Sequence, residues 1–337
     1  MADLNRRFLL RERPTDRIGP ETFELVEEEI PEIGDGEALL RTEWMSLDPT
    51  NRTWIDDTPT YLPPVAIGEC MRALGLGRVV KSNHPGYEEG KLMQGLVGWQ
   101  EYTVASDAAP LLPTPDLDVP PSSFLGVLGM TGLTAYVGID DVGGVGEGDT
   151  VFVSGAAGAV GSVASQLARI RGARAIGSAG TPEKVAWLDE LGLDGTFDYR
   201  ETGTRQALRE LAPEGLDVYF DNVGGETLEA AIGAMRLRGR IVACGSISRY
   251  NATEALPGPR NIFMVVTKRL RMEGFIVSDH ADRFPAFLAE VAPLVAEGTI
   301  RHRETIVDGI ERAPEAFIGM LEGANVGKML VRVGPEP

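Results

Sequence analysis

One stretch of the chain has a spacing that chemistry can use. Gly155-Ala156-Ala157-Gly158-Ala159-Val160-Gly161 follows the apolar run Val151-Phe152-Val153 and opens a segment with Val160, Val163, Ala164 and Leu167 at helical spacing. A dinucleotide's pyrophosphate needs backbone N–H groups brought close with no side chain in the way. In this Ala-x-Gly-x-x-Gly form, Ala156 permits the tight turn, Gly158 lets the backbone approach the phosphates, and Gly161 lets helix and strand pack closely. The helix N-terminus then presents its N–H groups to the anion.

The end of the next strand selects the cofactor. An NAD site carries an acid about 20 residues after the glycines to accept hydrogen bonds from the ribose 2′-hydroxyl. Here Gly177-Ser178-Ala179-Gly180-Thr181 holds no acid and is followed by Lys184. Hydroxyls, small residues and an ammonium suit a 2′-phosphate, so NADP(H) is the expected cofactor. Catalytic zinc needs three Cys, His or carboxylate ligands and an open fourth position. The chain has no Cys-x-x-Cys, its three histidines are scattered, and Cys70 has no nearby His, so no metal is expected. There is also no Gly-x-Ser-x-Gly elbow and no His-Glu-x-x-His helix. Metal-free hydride transfer is the chemistry that remains.

These residues must be held by elements, and the chain alternates in the way that holds them. Beyond the first two strands come a helix capped by Thr181, with Pro182 in its first turn and Gly192 as its stop, and then strands at Thr196–Tyr199, Leu216–Phe220 and Arg240–Ala243. Such alternation predicts βαβ units in a doubly wound parallel sheet of Rossmann type. Before it, residues 22 to 106 hold short apolar runs broken by Gly, Pro and Asp, namely Ala38–Leu40, Gly77–Val80, Leu96–Trp99 and Glu101–Val104, which predict a small β-rich domain. Five prolines between 110 and 121 read as a stiff connection and place the boundary there. The tail carries a helix near Pro314–Leu321 and a last strand, Met329–Val333.

Length and charge bound the rest. At 337 residues the chain has room for two domains, and no apolar stretch approaches the ~20 residues that cross a bilayer. A formal charge of −18 repels nucleic acid and anionic lipid, so neither is an expected partner. Two cysteines are too few for a disulfide framework, and Phe8-Leu9-Leu10 is too short for a signal-peptide core. A cytoplasmic location is expected.

The sequence resembles the zinc-independent medium-chain reductases that reduce the C=C bond of α,β-unsaturated ketones and aldehydes, a family that includes curcumin reductase, the leukotriene B4 dehydrogenase/prostaglandin reductases and the plant alkenal reductases. The resemblance rests on Ser46-Leu47-Asp48-Pro49, Leu62-Pro63-Pro64-Val65, Ser82-Asn83-His84-Pro85, Leu128-Gly129-Met130-Thr131-Gly132-Leu133-Thr134-Ala135-Tyr136, Phe220-Asp221-Asn222-Val223-Gly224-Gly225, Tyr250-Asn251-Ala252-Thr253 and Gly319-Met320-Leu321. It implies a GroES-like domain over 1–122, completed by the C-terminal segment 299–337, with an NADP-binding Rossmann domain over 123–298 and the active site in the cleft. By matching positions it implies that Gly158, Ala159, Val160 and Gly161 hold the pyrophosphate and that Lys184 and Tyr199 lie near the 2′-phosphate. Asn222, Cys244, Gly245, Ser246, Tyr250, the strand around Phe275, Ile276 and Val277, and Asn325 would line the rest of the cofactor, with Met130 and Thr131 near the nicotinamide. It also implies a homodimer, and the run Leu270–Val277, as a late strand, would offer an edge to a second copy.

Tyr250 is the expected catalytic residue. Hydride arriving at the β-carbon of an enone drives charge onto the carbonyl oxygen, and a phenol hydrogen bond there stabilises the enolate. One departure from the family stands in the pocket wall. Where much of the family follows Asp-Pro with a tyrosine, this chain has Thr50, so Trp54 or Tyr61 is the candidate aromatic surface. The expected activity is NADPH-dependent reduction of small electrophilic enones and alkenals, with quinone reduction and a cofactor-binding sensor without turnover as alternatives.

Overall fold

A computed structural model describes residues 4–15, 17–58, 60–252 and 256–334. The chain divides into two compact units, 1–125 with 304–337 and 126–303. In the first, strands β1 (Leu4–Leu10) and β2 (Phe23–Glu29) pair with each other. Strands β3 (Glu37–Leu47), β4 (Leu74–Ser82), β5 (Leu92–Leu96), β6 (Tyr102–Ser106) and β7 (Leu112–Pro113) build the larger sheet.

The second unit runs α1 (Met130–Val137), β8 (Thr150–Val153), α2 (Ala159–Ile170), β9 (Arg174–Ala179), α3 (Pro182–Glu190), β10 (Gly195–Asp198), α4 (Thr204–Leu211) and β11 (Leu216–Asp221). It continues through α5 (Gly225–Ala234), β12 (Met235–Ala243), α6 (Ile247–Tyr250), α7 (Met264–Thr267), β13 (Arg271–Gly274) and α8 (Phe284–Ala296). The chain then returns to the first unit through β14 (Glu304–Asp308), α9 (Ala313–Leu321) and β15 (Lys328–Arg332).

The second unit's sheet has the order β10-β9-β8-β11-β12-β13 with every pairing parallel. This is the doubly wound Rossmann order, whose direction of winding reverses between β8 and β11. Ligands bind such sheets beyond the carboxyl ends of the strands near that reversal, where the strand-to-helix turns leave a crevice. A ring stack fixes the sheet's centre: Phe152 lies 5.1 Å from Tyr219 and 5.8 Å from Phe197, centroid to centroid.

In the first unit the last strand is built into the sheet, β15 lying between β14 and β3. Helix α9 places Phe317 against Trp99, 5.6 Å between rings, and Trp99 stacks on Phe23 at 5.0 Å. Lys328 opens β15 with its side chain 4% exposed; its ammonium donates to the Leu47 carbonyl at 2.6 Å and to the Asp48 carboxylate at 2.8 Å. Asp48 also heads a turn, since its backbone N–H donates to the Asn51 side chain at 2.7 Å. The Ser46-Leu47-Asp48-Pro49 motif thus has a local cause: one carboxylate fastens the C-terminal strand and starts the turn that carries Thr50.

Three expectations are corrected. Leu96–Trp99 is not a strand: β5 ends at Leu96, and Gly98 at φ +74° turns the chain so that Trp99 is fully buried. The proline-rich stretch is not only a connection, because Leu112 and Pro113 pair with Gln94 and Met93 of β5 and the first unit continues to Leu125. The strand expected around Phe275 to Val277 ends at Gly274, and Val277 begins a 3-10 turn that runs to Arg283.

Removing one partner of a buried ion pair leaves the other charge without compensation, so Lys328→Ala is expected to lower the stability of the β-rich unit by about 3 kcal/mol. A denaturant titration followed by the fluorescence of buried Trp99 reads this directly. An unchanged midpoint would mean that the pair contributes nothing.

Candidate functional site

The glycine loop lies between β8 and α2. Gly155 has φ +60°, a left-handed conformation that a side chain rarely adopts, and it makes the turn that sequence reasoning gave to Ala156. Ala156 is instead fully buried, with its N–H donating to the Ser178 carbonyl at 3.0 Å. Gly158 caps α2, and a Cβ built on it meets only the Gly155 carbonyl within 4 Å, at 3.3 Å, so the backbone face there is open to a ligand. Gly161 has the opposite constraint. A Cβ there would stand 2.3 Å from the Gly155 carbonyl oxygen, so only glycine lets the helix start this close to the turn. Ala159 and Val160, half-buried, form the first turn of α2, where backbone N–H groups have no partner within the helix.

A cationic corner forms at the ends of β9 and β10. Thr181 caps α3, its hydroxyl accepting the Lys184 N–H at 3.3 Å. Tyr199 follows β10 and packs over Gly180, where a Cβ would come within 2.7 Å of the phenol oxygen. Arg200, which sequence reasoning did not select, holds its guanidinium 5.9 Å from the centre of the Tyr199 ring. Burial and then the Arg200 charge lower the Lys184 ammonium's pKa from its ordinary value. No acid lies between Gly177 and Thr181.

The third part is organised by Asp221, at the end of β11 and 3% exposed. Its Oδ1 accepts the Tyr219 hydroxyl at 2.6 Å and the N–H groups of Val223 and Gly224 at 2.9 and 2.7 Å. Burial raises the carboxyl's pKa from the ordinary range, and these hydrogen bonds oppose the rise. Ser154, at the end of β8, accepts the Asn222 N–H at 3.1 Å, and the Asn222 side-chain amide donates to the Ser154 carbonyl at 2.8 Å. The Asp221 carbonyl accepts the N–H groups of Cys244 and Gly245 at 3.0 and 2.9 Å. The turn after β11 therefore carries the segment after β12 alongside it.

That segment borders a cavity of about 550 Å³, lined by Ala243, Cys244, Gly245, Ser246 and Tyr250 on one side and Gly274, Phe275, Ile276 and Asp279 on the other. The structure thus brings six of the expected residues together around one space. The Tyr250 hydroxyl accepts the Ser246 N–H at 3.3 Å. Val277 lies just past the lining, in the turn that bears Asp279. Met130 starts α1 and is 39% exposed, whereas the Thr131 hydroxyl is committed to the Gly126 carbonyl at 2.9 Å.

In the β-rich unit, the Asn325 amide donates to the Gly327 carbonyl at 2.7 Å and closes a turn. Trp54 is buried in that unit's core, which removes it as a pocket wall; Tyr61 is 47% exposed and its hydroxyl bonds to that of Thr50. Thr253 of the Tyr250-Asn251-Ala252-Thr253 motif lies outside the described residues. Among the described residues no group of three or more His, Cys, Asp and Glu could hold a metal ion.

A family profile described as an N-terminal domain of oxidoreductase matches residues 6–112, and one described as a zinc-binding dehydrogenase matches 159–293. The chain is 42% identical over 335 residues to the NADPH-dependent curcumin reductase of Escherichia coli, covering 98% of this chain and 97% of that one. It is 38% identical over 310 residues to the NADP(+)-dependent 2-alkenal reductase of Nicotiana tabacum, covering 91% and 90%. The crystal structure of CurA in complex with NADPH from Vibrio vulnificus superposes with a TM-score of 0.93 at 38% identity, covering 98% of this chain and all of that one.

Cys244 borders the cavity, yet burial and the neighbouring Asp221 push its thiol up to about 12, and burial pushes Cys70 up to about 11. The thiolate is the reactive form, so neither cysteine has an appreciable nucleophilic fraction near neutral pH. Iodoacetamide at about pH 8 is expected to leave both unlabelled by mass spectrometry in the folded protein. Rapid labelling of Cys244 under those conditions would show that its thiol is not suppressed.

Proposed function

Since the chain belongs to the medium-chain dehydrogenase/reductase family of curcumin, alkenal and prostaglandin reductases, we propose that it reduces the C=C bond of α,β-unsaturated ketones and aldehydes with NADPH. The observation that carries this reading is a cavity beyond the carboxyl ends of β12 and β13 in the parallel sheet, with a tyrosine in its lining. The residues present fit the cofactor. Gly158, Ala159, Val160 and Gly161 provide an open backbone cradle at a helix start, and Lys184, Tyr199 and Arg200 offer two cations and a phenol to a 2′-phosphate where an NAD site has an acid. Asn222, Cys244, Gly245, Ser246, Phe275, Ile276, Val277, Met130, Thr131 and Asn325 are proposed to complete its contacts.

When bound, the cofactor supplies a hydride to the substrate's β-carbon. The chain's part is to stabilise the charge that then builds on the substrate's carbonyl oxygen. Tyr250 accepts a hydrogen bond from the Ser246 N–H, which fixes its oxygen and strengthens the phenol as a donor. Its O–H donates a hydrogen bond to the enolate oxygen and keeps its proton, while a proton taken up from solvent at the α-carbon completes the saturated product. Asp221 acts at a distance from the reacting atoms by holding the turn that orients this segment.

The strand β13 is at the edge of its sheet with every residue exposed, which supports a homodimer formed edge to edge. Two free cysteines support a reducing compartment such as the cytoplasm. No helix among the described residues is long and apolar enough to cross a membrane.

A panel of enones, alkenals and quinones, scored by NADPH oxidation, tests the activity. Enones are expected to be turned over faster than quinones; faster quinone turnover supports the quinone reductase reading, and tight binding without turnover supports a sensor. In the same assay Lys184→Ala is expected to weaken NADPH by about 10- to 100-fold and NADH little, since an ammonium–phosphate hydrogen bond contributes about 1.5–3 kcal/mol. Equal losses for the two cofactors would remove Lys184 from the 2′-phosphate. Tyr250→Phe is expected to lower the single-turnover rate by about 10²-fold while leaving NADPH affinity near wild type. A wild-type rate would return Tyr250 to a packing role. Sedimentation at micromolar concentration should show twice the chain mass, and a monomer there would exclude the edge-to-edge dimer.

A further inference from the structure

The free edge of β13 constrains what can pair with it. The strand bonds to β12 on one side only, and Arg271, Met272, Glu273 and Gly274 are all exposed. Such a row of unpaired backbone donors and acceptors is a template for another strand. In a chain of −18 this stretch is neutral, since Arg271 and Glu273 cancel, so two copies can approach here with less repulsion than elsewhere. Neither charge is used up within the chain. The Arg271 guanidinium donates to the Val142 carbonyl, which holds the side chain at the edge, and its Nε lies 3.6 Å from Glu273 Oε2, beyond hydrogen-bond range. The two side chains stay 53% and 50% exposed. Apolar surface flanks the strand, because the α7 turn packs Met264 and Val265 on the core and leaves Phe263 and Val266 exposed.

Symmetry restricts how two copies can share this edge. Two identical strands that extend one sheet across a two-fold axis run antiparallel, with the axis perpendicular to the sheet, so each face continues onto the same face of the partner. Residues directly opposite in an antiparallel pair point to one face, whereas neighbours along a strand point to opposite faces. A residue therefore cannot stand opposite its sequence neighbour, and one residue must stand opposite its own copy. With Arg271 on the axis, arginine meets arginine; with Glu273 there, glutamate meets glutamate, and like charges directly opposite destabilise a sheet. With Gly274 on the axis, Glu273 faces the partner's Phe275 and Arg271 the partner's Val277, both past the end of the strand. Met272 on the axis places Arg271 opposite the partner's Glu273 and, by symmetry, Glu273 opposite the partner's Arg271. Met272 then meets its own copy, and its unbranched thioether adapts to such a contact.

Resting on the edge-to-edge dimer, we propose that its two-fold axis passes through Met272 and that two Arg271–Glu273 ion pairs, one on each side of the axis, set the register between the copies. The register bears on the site. Gly274, the last residue of β13, lines the cavity with Phe275 and Ile276, so the seam holds the strand that ends in the cavity wall.

Two measurements on the full chain test this. The first is the dimer dissociation constant by sedimentation. Arg271→Glu and Glu273→Arg each replace two attractive pairs by two repulsive ones and are expected to weaken the dimer by about 10- to 100-fold, while the double reversal should return it to within about threefold of wild type. The second is mild oxidation with diamide. Met272→Cys is expected to give a covalent dimer, because directly opposite residues lie within disulfide reach, whereas Arg271→Cys and Glu273→Cys should link only when mixed with each other. Wild type, whose two cysteines are suppressed, is the unlinked control. A dimer in which the double reversal loses as much as the two single reversals combined overturns the register, and so does a dimer in which Met272→Cys stays unlinked. A wild-type chain that remains a monomer throughout fails earlier, at the edge-to-edge dimer itself.

Discussion

The site depends on one buried carboxylate. An ion of this kind costs several kcal/mol to remove from water unless donors surround it, and Asp221 is tolerated because a tyrosine hydroxyl and two consecutive backbone N–H groups converge on a single oxygen. Those donors belong to the turn that must leave β11 without blocking the crevice. The same residue's carbonyl receives the first two N–H groups after β12. Three strand ends, those of β8, β11 and β12, are thus tied together at the point where the sheet reverses its winding. Gly224, at φ +72°, lies so close to Ser246 that a Cβ would stand 2.2 Å from the serine oxygen. The tie therefore also explains why the Val223-Gly224-Gly225 run tolerates no side chain at its centre.

Charge is distributed with a similar economy. In a chain of −18, Lys184 and Arg200 are held close enough that one depresses the other's proton affinity. Two like charges kept together weaken an empty site, and an anion between them relieves the repulsion, so their placement favours a cofactor carrying a 2′-phosphate over one that lacks it. The cavity beside Tyr250 has the reverse polarity, with Asp279 its only charged side chain.

What the sequence made legible was what depends on local rules. The spacing Gly155 to Gly161, the Thr181–Pro182 start and Gly192 stop of α3, and the alternation of apolar strands with helices follow from backbone geometry that any such segment obeys. The rest is set by tertiary neighbours. That Gly155 and not Ala156 makes the turn depends on the packing of Ala156 beneath the sheet. That Trp99 leaves β5 to meet Phe23 and Phe317 depends on residues more than 70 and 200 positions away in the chain. Arg200 and Asp279 read as ordinary surface charges until the strand ends bring them to a cofactor corner and a cavity. The departure from the family at Thr50 left Trp54 and Tyr61 as candidate aromatic surfaces; only burial separated Trp54, in the core, from Tyr61, on the surface.

An enzyme that handles Michael acceptors meets a hazard from its own substrates, because an enone that accepts hydride at its β-carbon also accepts a thiolate there. Cys244 stands at the edge of the cavity where such a compound would be held. Its suppression comes from two sources, the desolvation of its thiol and the negative charge of Asp221. The carboxylate that fixes the geometry of the segment therefore also keeps that segment's sulfur protonated. Placing a cation at the same position would have the opposite effect on the thiol and would lose the acceptor for the Val223 and Gly224 amides. Positioning and chemical resistance are in this way satisfied by one residue, and a change at Asp221 puts both at risk.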